Sequence, residues 1–288
     1  MSLTTPWCRT MGIEVPIVNA PMGGTAGAEL AAAVSAAGGL GMIGMGSSAT
    51  AAVLRRELAG PITRPFGIGL VQWVVDAEPE LLDVALAARP TLLSVSFGAD
   101  YGWVERAHAE GISAAAQVAD VESGVRAQDA GVDVVVARGA EGGGHGEPRL
   151  GTLPLLTELL DRLTVPVLAA GGITSGRGLA AVLAAGAAGA WLGTVFTACA
   201  EALTAPDARA ALLAAPSTAT TTTREFDIAA GYRWPATIPE RVLTDPAGDP
   251  TPVNAGQGVG MVTAAQPAAA VIERLCSRAE QLLTRWGG

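Results

Sequence analysis

The chain has 288 residues, half of them hydrophobic and only 16% charged, which suits one core of the size an α/β barrel needs and excludes a mainly disordered state. Its net charge of −9 argues against a nucleic-acid-binding surface. All 18 basic residues are Arg, which excludes a lysine Schiff base, pyridoxal-phosphate chemistry and a complete Walker A loop.

Eight short runs, apolar almost throughout, recur along the chain and predict buried parallel strands at Pro16–Ala20, Gly39–Ile43, Phe66–Val71, Leu92–Phe97, Ser113–Val118, Asp133–Ala137, Pro166–Ala170 and Ala190–Phe196. Helical stretches separate them. Ala26–Ala37 ends at a Gly38-Gly39 stop, and Glu78–Ala88 is closed by Pro90. His108 falls mid-helix within Trp103–Glu110 among charged residues and reads as solvated surface. Asp120 is placed to cap Val121–Asp129, Thr152 to cap Leu153–Arg162 and Ser175 to cap Gly178–Ala185. Eight β-α units in succession predict a (β/α)8 TIM barrel of the α/β class, with a doubly wound sheet as the competitor. Residues 201–262, rich in Pro, Thr and Gly, are expected to form a lid or an ordinary connection after strand eight, and 265–286 a terminal amphipathic helix. No linker divides the chain, so residues 1–288 are read as a single domain.

Leu30–Leu54 and Gly178–Ala200 are uncharged and long enough to span a bilayer. Both are dominated by Ala and interrupted by Gly, so each reads as buried helix followed by buried strand. No basic segment followed by an apolar run opens the chain, and a cytoplasmic protein without membrane or nucleic-acid partners is expected. Cys8, Cys199 and Cys276 form no CxxC pair, and with His108 and His145 as the two histidines no metal site is expected.

The active face of such a barrel is built from the loops after its strands. Those loops carry Pro21-Met22-Gly23-Gly24, Gln72-Trp73, Arg138–Glu147, Gly171–Ser175 and Gly193-Thr194, and strand five ends at Gln117. The Gly171-Gly172 and Gly193-Thr194 loops suit a phosphate held by backbone amides, and equally suit tight strand-to-helix turns. Three glycines precede His145 at the mouth, where an imidazole is the natural general base.

Glu141-Gly142-Gly143-Gly144-His145, the segment Pro166–Ile173 with Gly193-Thr194, the strand Ile17–Met22 and the stretches Phe226–Pro235 and Pro252–Gly260 together resemble the nitronate monooxygenase family, also called 2-nitropropane dioxygenases. The resemblance implies FMN in the barrel. Met22 and Gly23 would then lie against the isoalloxazine, Gln117 would contact the flavin, and Gly143 would line its wall. Gly171, Gly172, Gly193 and Thr194 would hold the phosphate. His145 would face a small nitronate or other electron donor, with O2 as the oxidant. Trp73, Tyr232 and Trp234 are expected at the substrate side or in the lid. Two positions depart from the family pattern: Gly69 stands where Asn is common, and Gly146-Glu147 where Arg-Gly is frequent. The same loops also resemble NAD(P)H-dependent flavin enoyl-acyl-carrier-protein reductases. A quinone reductase and a non-flavin phosphate-binding isomerase or lyase remain open as further readings. The sequence is compatible with a homo-oligomer.

Overall fold

The computed structural model describes residues 3–286. Eight parallel strands form one sheet: β1 (Ile17–Asn19), β2 (Gly41–Gly44), β3 (Phe66–Val71), β4 (Leu92–Ser96), β5 (Ser113–Val118), β6 (Val134–Arg138), then, beyond a two-residue strand β7 (Gly144–His145), β8 (Val167–Ala170) and β9 (Gly189–Leu192). The order β1-β9-β8-β6-β5-β4-β3-β2 curls until a single bridge, Val18 to Leu40, brings its two ends together. The result is a nearly closed barrel wrapped in helices, not a doubly wound sheet.

Side chains alternate between two packed layers. Val18, Leu40, Met42, Leu92, Val134, Val136, Leu168 and Trp191 fill the barrel interior, while residues such as Ile43, Ile68, Leu93, Val135 and Ala169 pack outward under the helices. A short helix, Pro6–Met11, drives Trp7, Cys8 and Met11 into the interior cluster. Thr5 Oγ1 donates to the Ala188 carbonyl just before β9, so this plug sits at the N-terminal ends of the strands. The opposite mouth is left for chemistry.

Both uncharged stretches resolve into a helix followed by a strand, and no described helix is long and apolar enough to cross a membrane. Asp120 and Ser175 cap their helices through Ser123 N and Gly178 N. Several expectations are corrected. The eighth barrel strand stops at Leu192, because Gly193 breaks it and Thr194–Thr197 turns helical. Gln72 and Trp73 open a helix, Gln72–Ala77. Thr152 is the first residue of its helix rather than its cap; its amide donates to the Glu141 carboxylate, which does the capping from another loop. The helix Pro6–Met11 was not anticipated, whereas Ala51–Leu58 occupies a segment between strands that reads as helical without stated bounds.

Residues 201–262 are far more ordered than a loop. They contain a helix, Pro206–Ala214, and a small antiparallel sheet of β10 (Thr220–Thr223), β11 (Glu240–Thr244) and β12 (Pro250–Asn254), with a short helix, Glu225–Ala230, between β10 and β11. β7 joins this sheet by pairing with β11, Glu240 opposite His145. The terminal helix runs Ala268–Trp286 and packs on Gly176–Ala184.

Candidate active site

The loop after β6 is organised around one buried cation. Arg138, the last residue of β6, donates to the carbonyls of Gly139, Gly142, Gly143 and Gly144 at 2.9–3.2 Å. Burial pushes its guanidinium down to about 10, with the Arg241 charge adding to the effect and the Glu141 carboxylate opposing it. Carbonyl dipoles from the glycine run thus take the place of water around the charge. Gly142 and Gly146 leave room for the guanidinium beside them: a Cβ would lie 3.1 Å from Arg138 Cζ at Gly142 and 2.1 Å from it at Gly146.

Glu141 ties this loop to its neighbours. Its carboxylate accepts from the Thr152 amide, the Thr152 hydroxyl lies 2.9 Å from the same carboxylate and 3.0 Å from the Gly171 carbonyl, and the Glu141 carbonyl accepts from Gln257 N. Gly256 N in turn donates to Thr194 Oγ1. The strand-end loops carrying Gly143, Gly171, Gly172 and Thr194 are therefore one hydrogen-bonded unit. Among the described residues, no backbone carbonyl accepts from the amides of Gly172, Gly193 or Thr194. Gly172 is exposed, and Met22 Sδ would lie 3.4 Å from a Cβ on Gly193, an ordinary contact. Unpaired amides at the adjacent ends of β8 and β9 are what an anion such as a phosphate requires.

His145 is held from three sides. Its Nε2 lies 2.9 Å from Asp227 Oδ2, and its ring stacks on Trp234 with centroids 3.6 Å apart and planes 7° from parallel. Trp234 Nε1 donates to Ser47 Oγ in the loop after β2, while Phe97 and Trp73 meet the same indole edge-on at 5.1 and 5.9 Å. Tyr232 lies 6.2 Å from Trp73. Trp234 thus meets residues that follow β2, β3 and β4 as well as His145, with Trp73 beside it and the exposed Tyr232 next to Trp73. Phe97 reaches its place with φ +70, a conformation costly for a side-chain-bearing residue.

Burial lowers the His145 pKa from the ordinary imidazole value; Asp227 works against that and the Arg138 charge adds to it. The neighbouring Glu240 is buried and pushed up to about 7, chiefly by burial and then by the Asp227 charge. Donor atoms of His145, Asp227 and Glu240 all lie within 4.8 Å of one another, brought together by the His145–Asp227 hydrogen bond and by the pairing of β7 with β11 that sets Glu240 opposite His145.

Gln117 is in β5, with its amide donating to Ser96 Oγ, and Gly143 is exposed against the Ala255-Gly256 backbone. Gly23 lies against Gly46, and a Cβ on Gly69 would fall 2.2 Å from Pro21 Cγ, so no side chain fits at Gly69 in place of Asn. His108 is a surface residue beside Asp133. Sequence reasoning missed Asp227 and Glu240 as individual residues, along with the structural roles of Arg138 and Glu141. The two carboxylates are 13 positions apart and meet His145 only because β7 and β11 pair, so no local spacing announces them. Tyr101 lies in the loop directly after β4, where burial raises its pKa.

A family model described as nitronate monooxygenase matches residues 5–80 and 71–233. The chain belongs to the nitronate monooxygenase family. A nitronate monooxygenase of Paraburkholderia phytofirmans is 34% identical, over 74% of this chain and 71% of that protein. Among solved structures, FabK from Thermotoga maritima superposes with a TM-score of 0.87 at 27% identity, covering 99% of this chain and 98% of its own. A nitroalkane oxidase from Streptomyces ansochromogenes superposes with a TM-score of 0.83 at 29% identity, covering 97% of this chain and 99% of its own. The family matches include the His145 loop, both glycine loops at β8 and β9, and Asp227.

Proposed function

We propose that the protein is an FMN-dependent oxidoreductase that oxidises an alkyl nitronate, or the parent nitroalkane, with O2 to a carbonyl compound and nitrite. The observation that carries this reading is the pairing, on one barrel face, of unpartnered amides at Gly172, Gly193 and Thr194 with a single imidazole at His145. Family membership and the likeness to a nitroalkane oxidase support it.

The residues present fit a flavin mononucleotide. Gly171, Gly172, Gly193 and Thr194 would take the phosphate through backbone N–H groups, a route that needs no Lys, and Met22, Gly23, Gln117 and Gly143 would surround the remainder. When bound, FMN supplies the electron acceptor for substrate and the route from substrate to O2. The protein's own part is binding, orientation and proton transfer. Trp73, Tyr232 and Trp234 provide an apolar wall that excludes water beside His145. For a neutral nitroalkane, His145 takes the α-proton while the C–H electron pair becomes the C=N bond of the nitronate. For a substrate that arrives as the nitronate, the imidazole only hydrogen-bonds to its oxygen.

His145→Ala is therefore expected to lower turnover of a neutral nitroalkane by roughly a hundredfold to ten-thousandfold while flavin is retained, and to affect the pre-ionised nitronate much less. Equal losses on both forms would sink the base role and leave only substrate positioning. The likeness to FabK favours a reductase as the second reading. Consumption of NAD(P)H by the purified flavoprotein, without nitronate oxidation, would select it.

A further inference from the structure

The His145 imidazole has two nitrogens, and their surroundings differ. Nε2 is spoken for by Asp227 Oδ2 at 2.9 Å. Nδ1 has no hydrogen-bond partner among the described residues and is not sealed from solvent. Asp227 itself is buried, at the start of the polypeptide stretch that also delivers Trp234. Trp234 covers one face of the ring, so the imidazole cannot turn over to exchange its nitrogens without breaking the 3.6 Å stack. Glu240 stands opposite His145 on the paired strand, also buried.

We infer that Asp227 is a positioning residue that fixes His145 as the Nε2–H tautomer, making Nδ1 the atom that receives the substrate proton. The inference rests on the reading of His145 as proton acceptor, but the tautomer is a property of the protein alone. The carboxylate accepts the Nε2–H bond, and a neutral ring holding a proton there has its lone pair on Nδ1. When Nδ1 takes a proton, the imidazolium formed lies against the Asp227 carboxylate, which stabilises the new charge in a site poor in water. Two carboxylates this close resist being ionised together. Burial and the Asp227 charge push Glu240 up to about 7 against the opposing hydrogen bond from Asn254, so this neighbouring carboxyl carries a proton in about half of the molecules at neutral pH. Arg138 is the opposing charge near the ring, and it disfavours imidazolium. Asp227 therefore offsets a cation that the glycine loop obliges the site to contain.

With two histidines in the chain, the imidazole nitrogens are directly resolvable by 15N NMR of the flavin-loaded protein, with His108→Gln assigning the surface ring. The expected result is a protonated Nε2 and an unprotonated Nδ1 for His145 in the unaltered protein. In Asp227→Asn, whose amide can donate to Nε2, the proton should move to Nδ1. Turnover of a neutral nitroalkane should then fall at least tenfold with flavin retained, while the pre-formed nitronate is little affected. An Nδ1–H tautomer in the unaltered protein overturns the inference, and so does an Asp227→Asn variant with an unchanged tautomer. The measurement on the unaltered protein decides the tautomer even where the variant fails to fold. If the tautomer is as expected and no nitroalkane or nitronate is turned over by any form, the proposed function fails while the assignment of the two nitrogens stands.

Discussion

Glycines that look alike in the sequence do different work. Gly171 has φ +115, and a Cβ there would lie 2.7 Å from Thr152 Oγ1 and 3.0 Å from the Gly139 carbonyl. Gly193 has φ −102 and only ordinary contacts waiting for a Cβ. Gly171→Ala is therefore expected to lower the melting temperature, and Gly193→Ala to fold normally while retaining less flavin; melting curves and the absorbance ratio of flavin to protein separate the two. A Gly193→Ala variant with full flavin occupancy would move the phosphate site elsewhere. Glu240 supplies a second test. Its folded-state pKa of about 7 stands above its unfolded value, so between about pH 4.5 and 7 the folded protein binds more protons than the unfolded chain. Unfolding free energy should fall as pH rises through that window, by up to roughly 3 kcal/mol at 1.36 kcal/mol per pKa unit. Urea titrations at pH 5 and pH 8 measure the difference, and Glu240→Gln should abolish most of it. His145 moves the other way from its reference: turnover of a neutral nitroalkane should rise with pH through an ionisation below the usual imidazole value.

The elements of the barrel were legible because burial on both faces leaves a plain signature. Phe66–Val71 and Ser113–Val118 are apolar runs bounded by breakers, and they emerge with the boundaries read from the chain. The capping residues Asp120 and Ser175 were equally readable, since a cap is a local event. The small sheet was not. Its outer strands β10 and β12 are polar and half exposed, as in Thr220–Thr223, and their apolar pattern is too weak to outvote the surrounding Pro and Gly. β7 is two residues long and exists because β11 lies beside it, which no local reading can supply. The β6 loop depends in the same way on a single long-range fact, the burial of Arg138. Arg138→Met would leave four glycine carbonyls without their donor, at a cost of about 3 kcal/mol or more given 1.5–3 kcal/mol per charged hydrogen bond. Thermal denaturation reads the loss, and a stability within experimental error of the parent would show the loop to be self-supporting.

At the scale of the whole molecule, the plug and the small sheet divide the barrel into a sealed end and a working end. Pro6–Met11 fills the first, and the β7–β11 pairing brings residues 220–254 to bear on the segments after β2, β4 and β6 at the second. The proposed phosphate site on that face is a single glycine-rich one, so the cofactor released on denaturation should have the mass of FMN; recovery of FAD would count against that assignment.

The stack of His145 on Trp234 has an optical consequence. An excited indole gives up an electron to a protonated imidazole in van der Waals contact far more readily than to a neutral one. Of the six tryptophans, Trp234 alone is within stacking distance of a histidine among the described residues. The flavin-free protein should therefore brighten as pH rises through the His145 ionisation, and Trp234→Phe should remove that component of the emission. The stack would give the site its own fluorescent indicator of the protonation of the proposed base.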